Sequence, residues 1–374
     1  MQNSDYVLAR EVFEKSFTIV RNNDTFSTEE VISFYRTSSK LFEKMTDYSM
    51  ASVLKGRERT LLQNMVGSNI DYERCVRAEL DLFDLYLKHS DVPCIYTNAD
   101  GTQVETNRRE LVIQEGQSII KQVRGIDWFD PELLARAYNT LSHAYRLRKK
   151  EESYIIAEQQ ALKAQECLKA KHLEKSDQMA WTYYYLGEAT SLTHKENIQI
   201  ALDYYQAALE LRLKLENTSN SESVAVCYNV IGNRLSQNGK YSEASDYFQQ
   251  AKSIRKHLFG ELSTEYAWTL FNEAENYFRR NNRGDNKKAK RLFEEVMSIY
   301  HSILNIGRYK YLIGTHKFLG LTYEYLGDIY VRERDYDNAV KYYELARKQL
   351  SNEAVHDFRI RSKLSLAREN AASQ

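Results

Sequence analysis

"YNVIGNRLSQNGKYSEASDYFQQA" (Tyr228 to Ala251) decides the fold. It sets Gly232, Ala244, Phe248 and Ala251 at fixed steps along a helix pair. The stretch from Tyr323 to Ala346 repeats the pattern with Leu326, Gly327, Tyr330, Ala339 and Tyr343. A glycine or alanine near the middle of the first helix lets an antiparallel partner approach closely. The alanine in the second helix does the same from the other side. A leucine at Gly232 would overpack that seam and cost about 1–3 kcal/mol. A single pair of this kind leaves an apolar face uncovered, so stacking against neighbours completes the core.

Weaker copies fill the intervening chain. One carries Leu186, Gly187, Ala201, Tyr205 and Ala208, another Ala274, Tyr277, Ala289 and Phe293, and a third Tyr138, Leu141, Tyr145, Ala157, Ala161 and Ala164. The small residues Ser142, Gly187, Gly232 and Ala274 stand 45, 45 and 42 positions apart. The pattern of an aromatic, Leu-Gly, an aromatic, then Ala-x3-aromatic resembles the tetratricopeptide repeat, whose usual period is about 34 residues. The longer period is similar to the kinesin light chain and nephrocystin branch of that family. The resemblance implies an all-α, right-handed α-solenoid of helix hairpins.

The array of about five repeats is expected over residues 131–350, opening with Asp130 as N-cap and Pro131 at the first helical position. Before it lies an N-terminal helical region, 1–130. There Tyr35, Ser39, Phe42 and Ala51 fit a degenerate first repeat, and residues 70–89 and 108–124 read as helices. Between these two helices, Ile95-Tyr96-Thr97, an Asp-Gly dipeptide and Thr102-Gln103-Val104 predict a small β-hairpin insertion near 95–104. An isolated hairpin is marginal, so it must dock on something. Residues 351–374 read as a capping helix and tail, since terminal repeats need a polar outer face.

Composition narrows the function classes. The chain of 374 residues holds 52 basic and 52 acidic side chains, so no net field recruits nucleic acid or an anionic membrane. Two prolines and 14 glycines are too few for a strand-rich fold with many turns. The 28 tyrosines fall mostly at helical spacing, suited to buried rings with hydroxyls at a rim. Cys75, Cys94, Cys167 and Cys227 are scattered, which predicts free thiols and neither a disulfide scaffold nor a zinc site. No signal-peptide core and no run near 20 apolar residues is present, so a cytoplasmic protein is expected.

No catalytic signature emerges. Dinucleotide, P-loop, nucleophile-elbow and zincin motifs are absent from the sequence, and no two histidines stand four apart. The reading is therefore a non-enzyme with no catalytic residues, metal or cofactor. "RRNNRGDNKKAKR" (Arg279 to Arg291) is a candidate basic contact loop, through Arg279, Arg280, Arg283, Lys287 and Lys288. Net neutrality and the lack of interleaved aromatics set it against nucleic acid and toward an ordinary turn.

In tetratricopeptide arrays the first helix of each hairpin lines the concave surface. Positions opposite the packing face, at 3-4-3 spacing, form that groove. They fall on Arg136, Asn139, His143 and Arg146, then Trp181, Tyr184 and Glu188, then Asn229 and Asn233. Trp268, Phe271, Asn272 and Glu275, and finally Glu324 and Asp328, complete the set. Exposed carboxamides both donate and accept, which suits an extended peptide backbone. The tryptophans either meet a ligand or pack between repeats. Charge is graded from basic arginines to acidic residues, which predicts a charge-polarised peptide or partner helix.

The leading expectation is a non-catalytic protein- or peptide-binding scaffold or regulator. In length and organisation the chain resembles bacterial Rap-type peptide-sensing regulators, although the predicted hairpin is foreign to them. Two alternatives stand beside it. One is a sensor or partner subunit of a larger signalling or defence assembly. The other is an RNA-binding helical repeat protein using the basic segment and the tryptophans. The partner's identity and the oligomeric state are not encoded in any motif.

Overall fold

The computed structural model describes residues 3–22, 26–44, 48–65, 67, 69–88, 93–97, 103–215, 220–305, 313–350 and 354–373. Its contacts divide the chain into two compact units, 1–204 and 205–374. Each is described by itself.

The first unit begins with α1 (Asn3–Asn22), α2 (Thr28–Lys44), α3 (Tyr48–Met65) and α4 (Asn69–Leu87). Strands β1 (Pro93–Thr97) and β2 (Gln103–Asn107) follow, then α5 (Arg108–Val123), α6 (Pro131–Leu147), α7 (Glu151–Ala170) and α8 (Asp177–Thr193). Helices α2 and α3 pack against each other as a hairpin. Phe42 and Ala51 are both fully buried, and Ser39 Oγ donates to the Ala51 carbonyl at 2.9 Å, tying α2 to α3. The two strands pair antiparallel, Pro93 opposite Asn107 and Thr97 opposite Gln103, and pack on α5. The Asp100-Gly101 turn and Thr102 lie outside the described residues. The strands thus interrupt a helix hairpin, α4/α5, without replacing it.

The second unit takes in the later part of α9 (Ile198–Leu215). After it come α10 (Glu222–Gln237), α11 (Tyr241–Phe259), α12 (Thr264–Arg280) and α13 (Asp285–Asn305). It closes with α14 (Ile313–Arg332), α15 (Tyr336–Leu350) and α16 (Ala354–Ala372). Consecutive helices pair as hairpins, α10 with α11, α12 with α13, α14 with α15. The seams show why small residues recur. A Cβ on Gly232 would stand 2.8 Å from the buried Phe248 ring, and one on Gly327 would stand 2.6 Å from Tyr343. Helix starts are fixed by short polar caps. Ser176, Ser221 and Ser263 each accept from the amide three residues on, and Asp130 accepts from Glu132 at 2.8 Å before Pro131.

The core of this unit runs from Tyr266 through Phe293 and Leu326 to Ile360, Leu364 and Ala367 of α16. The last helix is therefore seated by its apolar side while Arg359 and Lys363 face α14. All four cysteines are free thiols. No helix among the described residues is long and apolar enough to cross a membrane.

Candidate functional site

In the first unit, α6 packs between α4 and α8, so three first helices stand side by side. A chain of ions runs from α2 and α3 onto α4 and α6. Arg36 binds Glu58 at 2.7 Å, Glu58 binds Lys55, and Lys55 reaches Asp81 at 2.8 Å. Arg136 then bridges Asp81 at 2.7 Å and Asp84 at 2.6 Å. Burial works against the charge of Arg136, but Asp84 and Asp81 outweigh it and raise its pKa. Asp81 is likewise desolvated, yet Arg136 and Lys55 hold its carboxyl below the usual range. Asp84 has the opposite balance. Its side chain is 44% exposed, but desolvation outweighs Arg136 and raises its pKa. It is recessed rather than freely solvated.

Above these ions lies an aromatic group. The Trp181 ring meets Tyr184 edge-on at 5.7 Å and stacks on Tyr185 at 6.1 Å. His143 tilts against Tyr185 at 5.7 Å. All four are partly exposed. Burial, and then the Arg146 charge, push the His143 pKa down to about 3, so the imidazole is neutral. Burial raises the Tyr185 phenol, which stays a protonated donor. Arg146 pairs with Glu188 at 3.2 Å. Asn139 donates to Thr182 Oγ1 at 2.9 Å while its buried Oδ1 accepts no hydrogen bond.

The second unit treats its predicted groove residues differently. Asn229 is fully buried and accepts from Asn272 Nδ2 at 3.0 Å, correcting the expectation of an exposed amide. Asn139 and Asn272, at 2% and 6% exposure, share that correction. The cause is the next first helix, which leans over this side of its neighbour. Phe271 is also buried, packed edge-on against Phe293, Phe318 and Tyr325. Asn233 stays partly exposed. Trp268 lies 4.6 Å from the buried Arg255 guanidinium, a cation–π contact. Arg255 itself is held by Glu222 at 2.9 Å and Thr269 at 2.8 Å.

The graded charge is neutralised from within. Glu275 pairs with Arg279 at 2.6 Å and accepts from Tyr325. Glu324 is only 4% exposed and is taken by Arg359 at 2.5 Å and Lys363 at 2.8 Å, both on α16. Asp328 accepts from Lys363 and from Tyr343 Oη, each at 2.7 Å. The acidic end is thus covered by the last helix, which corrects the expectation of an open acidic groove there. In the basic loop, Arg280 is locked to Asp285 at 2.7 Å, and Arg279 to Glu275. Arg283, Lys287 and Lys288 are exposed. No cluster of histidine, cysteine or carboxylate side chains suited to a metal occurs among the described residues.

Residues 178–257 and 318–352 each match a family model described as tetratricopeptide repeat. The chain carries tetratricopeptide repeats. Among curated proteins none matches it at a significant level. Three solved structures show the same fold at low identity. A Rap protein complexed with Competence and Sporulation Factor gives a TM-score of 0.61 at 16% identity, over 92% of this chain and 87% of that one. The apo form of RapI gives 0.55 at 15%, over 92% and 86%. BtubC (BKLC) from P. vanneervenii gives 0.53 at 22%, over 65% and 91%. Sequence reasoning missed Asp81, Asp84 and Tyr185. Asp81 and Asp84 sit three apart on α4, and that spacing was the available signal. The strand insertion after α4 broke the repeat period and hid its standing as a first helix.

Proposed function

We propose that the protein is a non-catalytic interaction module that holds an extended segment of a partner protein on the α4–α6–α8 face. The observation that carries this reading is the partly exposed ring group of His143, Trp181, Tyr184 and Tyr185, framed by Asp84 below and Arg146–Glu188 beside it. Rigid aromatic surface gives contact area at little entropic cost, and neighbouring donors and acceptors fix a peptide's register. His143 is neutral and Tyr185 protonated, so both present hydrogen-bonding groups without charge. One structural neighbour was solved in complex with Competence and Sporulation Factor, which agrees with a binding role for this fold.

Because Arg136 is satisfied by α4, the segment is selected by its apolar and hydrogen-bonding side chains more than by net charge. A photo-crosslinking phenylalanine analogue at Tyr184 tests the reading, with the same probe at the 76% exposed Phe358 as control. Crosslinks from Tyr184 to one partner segment, lost in Trp181→Ala/Tyr185→Ala, are expected. Equal recovery of that segment from both positions would refute the site.

A further inference from the structure

The second unit holds a cleft of about 920 Å³ bounded by α11, α12 and α13. Five cations line it: Lys252, Lys287, Lys288, Lys290 and Arg291. Two are already spoken for. Lys252 binds the buried Glu273 at 2.8 Å, and Lys290 binds Glu333 at 2.8 Å beneath the Tyr330 ring. The remaining three project from the first two turns of α13. Lys288 lies 5.3 Å from the centre of the Tyr277 ring, and Lys287 and Arg291 stand one turn apart on the same helix side. All three are exposed, and the only carboxylate left in the lining is Glu294. The α13 N-terminus contributes little, because Asp285 there is consumed by Arg280 and the Asn282 amide.

We propose that this cleft is a second binding site, distinct from the α4–α6–α8 face, for an acidic peptide segment of a partner protein. Carboxylates of the segment seat on Lys287, Lys288 and Arg291, and its polar residues meet Glu294. The mixed lining favours this occupant over nucleic acid. Two of the five cations are tied to Glu273 and Glu333, which leaves three, and affinity for a phosphate backbone rises with the number of phosphates neutralised. The cleft's aromatic, Tyr277, is already engaged by Arg280 at 5.0 Å and by Lys288 at 5.3 Å, which compete with any base for the ring. The cavity also has depth, with Glu273 and Tyr277 in its lining, which a flat basic patch lacks.

The test is fluorescence anisotropy with full-length protein and a labelled peptide of alternating aspartate and serine. A single-stranded RNA of equal net charge runs beside it. The peptide should bind, more weakly as salt rises, since the contacts are solvent-facing. Lys287→Glu/Arg291→Glu should weaken it at least about tenfold, and Glu294→Lys should tighten it several-fold. All three positions lie on the helix surface, and unchanged circular dichroism melts would show that the fold is kept. Peptide affinity untouched by both changes would overturn the proposal, as would RNA binding more tightly than the peptide.

Discussion

Gly232→Ala should destabilise the second unit, although alanine is the better helix former by about 1 kcal/mol. The added Cβ would lie 2.8, 3.0 and 3.1 Å from three atoms of the Phe248 ring. Phe248 is fully buried between Ala244 and Ala251, so its ring has no free volume to yield into. Overpacking of this kind costs about 1–3 kcal/mol, which leaves a net loss of up to about 2 kcal/mol after the propensity gain. Gly56, inside α3, has nothing within 4 Å of a built Cβ. Gly56→Ala should therefore stabilise by up to about 1 kcal/mol. Urea unfolding followed by far-ultraviolet circular dichroism compares the two. Phe248→Leu, combined with Gly232→Ala, should recover part of the loss, giving a coupling energy outside additivity. If Gly232→Ala stabilises as Gly56→Ala does, the close-approach account of the repeat is wrong.

Two further outcomes follow from buried charge. His143, held neutral down to about pH 3 by burial, titrates near 6.5 when unfolded, so the unfolded chain binds the extra proton between these values. Stability should fall as pH drops from 6.5 toward 3, by at most about 1.4 kcal/mol per unit, and His143→Asn should flatten that slope in urea titrations. An unchanged slope would place the imidazole in water. Arg255→Met strands Glu222, Thr269 and the Glu265 carbonyl, which share the fully buried guanidinium. The loss should be about 2–4 kcal/mol, with a shift in Trp268 emission as the cation 4.6 Å away disappears. Wild-type stability and emission together would show that Arg255 carries neither role.

The hairpin architecture was legible because its signal is local. Gly232 and Phe248 lie sixteen residues apart within one unit, and the step between them states the seam directly. The capping of α6 by Asp130 and Pro131 was equally readable. The site was less so. Whether Asn229 faces water depends on Asn272, 43 residues away on a different hairpin. A helical wheel for α10 sets it only about 60° from Gly232, at the edge of the packing face, but holds no information on how near the next first helix comes. Glu324 and Asp328 pose the same problem. Their fate rests on Arg359 and Lys363, and α16 carries no repeat pattern to announce that it sits there.

The amide contacts between successive first helices also bear on how such arrays can be rebuilt. Asn139 meets Thr182 and Asn229 meets Asn272, each pair 43 residues apart and each shielded from water. Every such pair acts as a keyed joint. A repeat moved away from its neighbour would leave these buried groups without their partner, at about 1–3 kcal/mol for each one stranded. Shuffling by whole repeats is therefore disfavoured, whereas moving the two hairpins that share a joint keeps the key with its lock. The unit of recombination in this array is two hairpins, one longer than the unit of sequence.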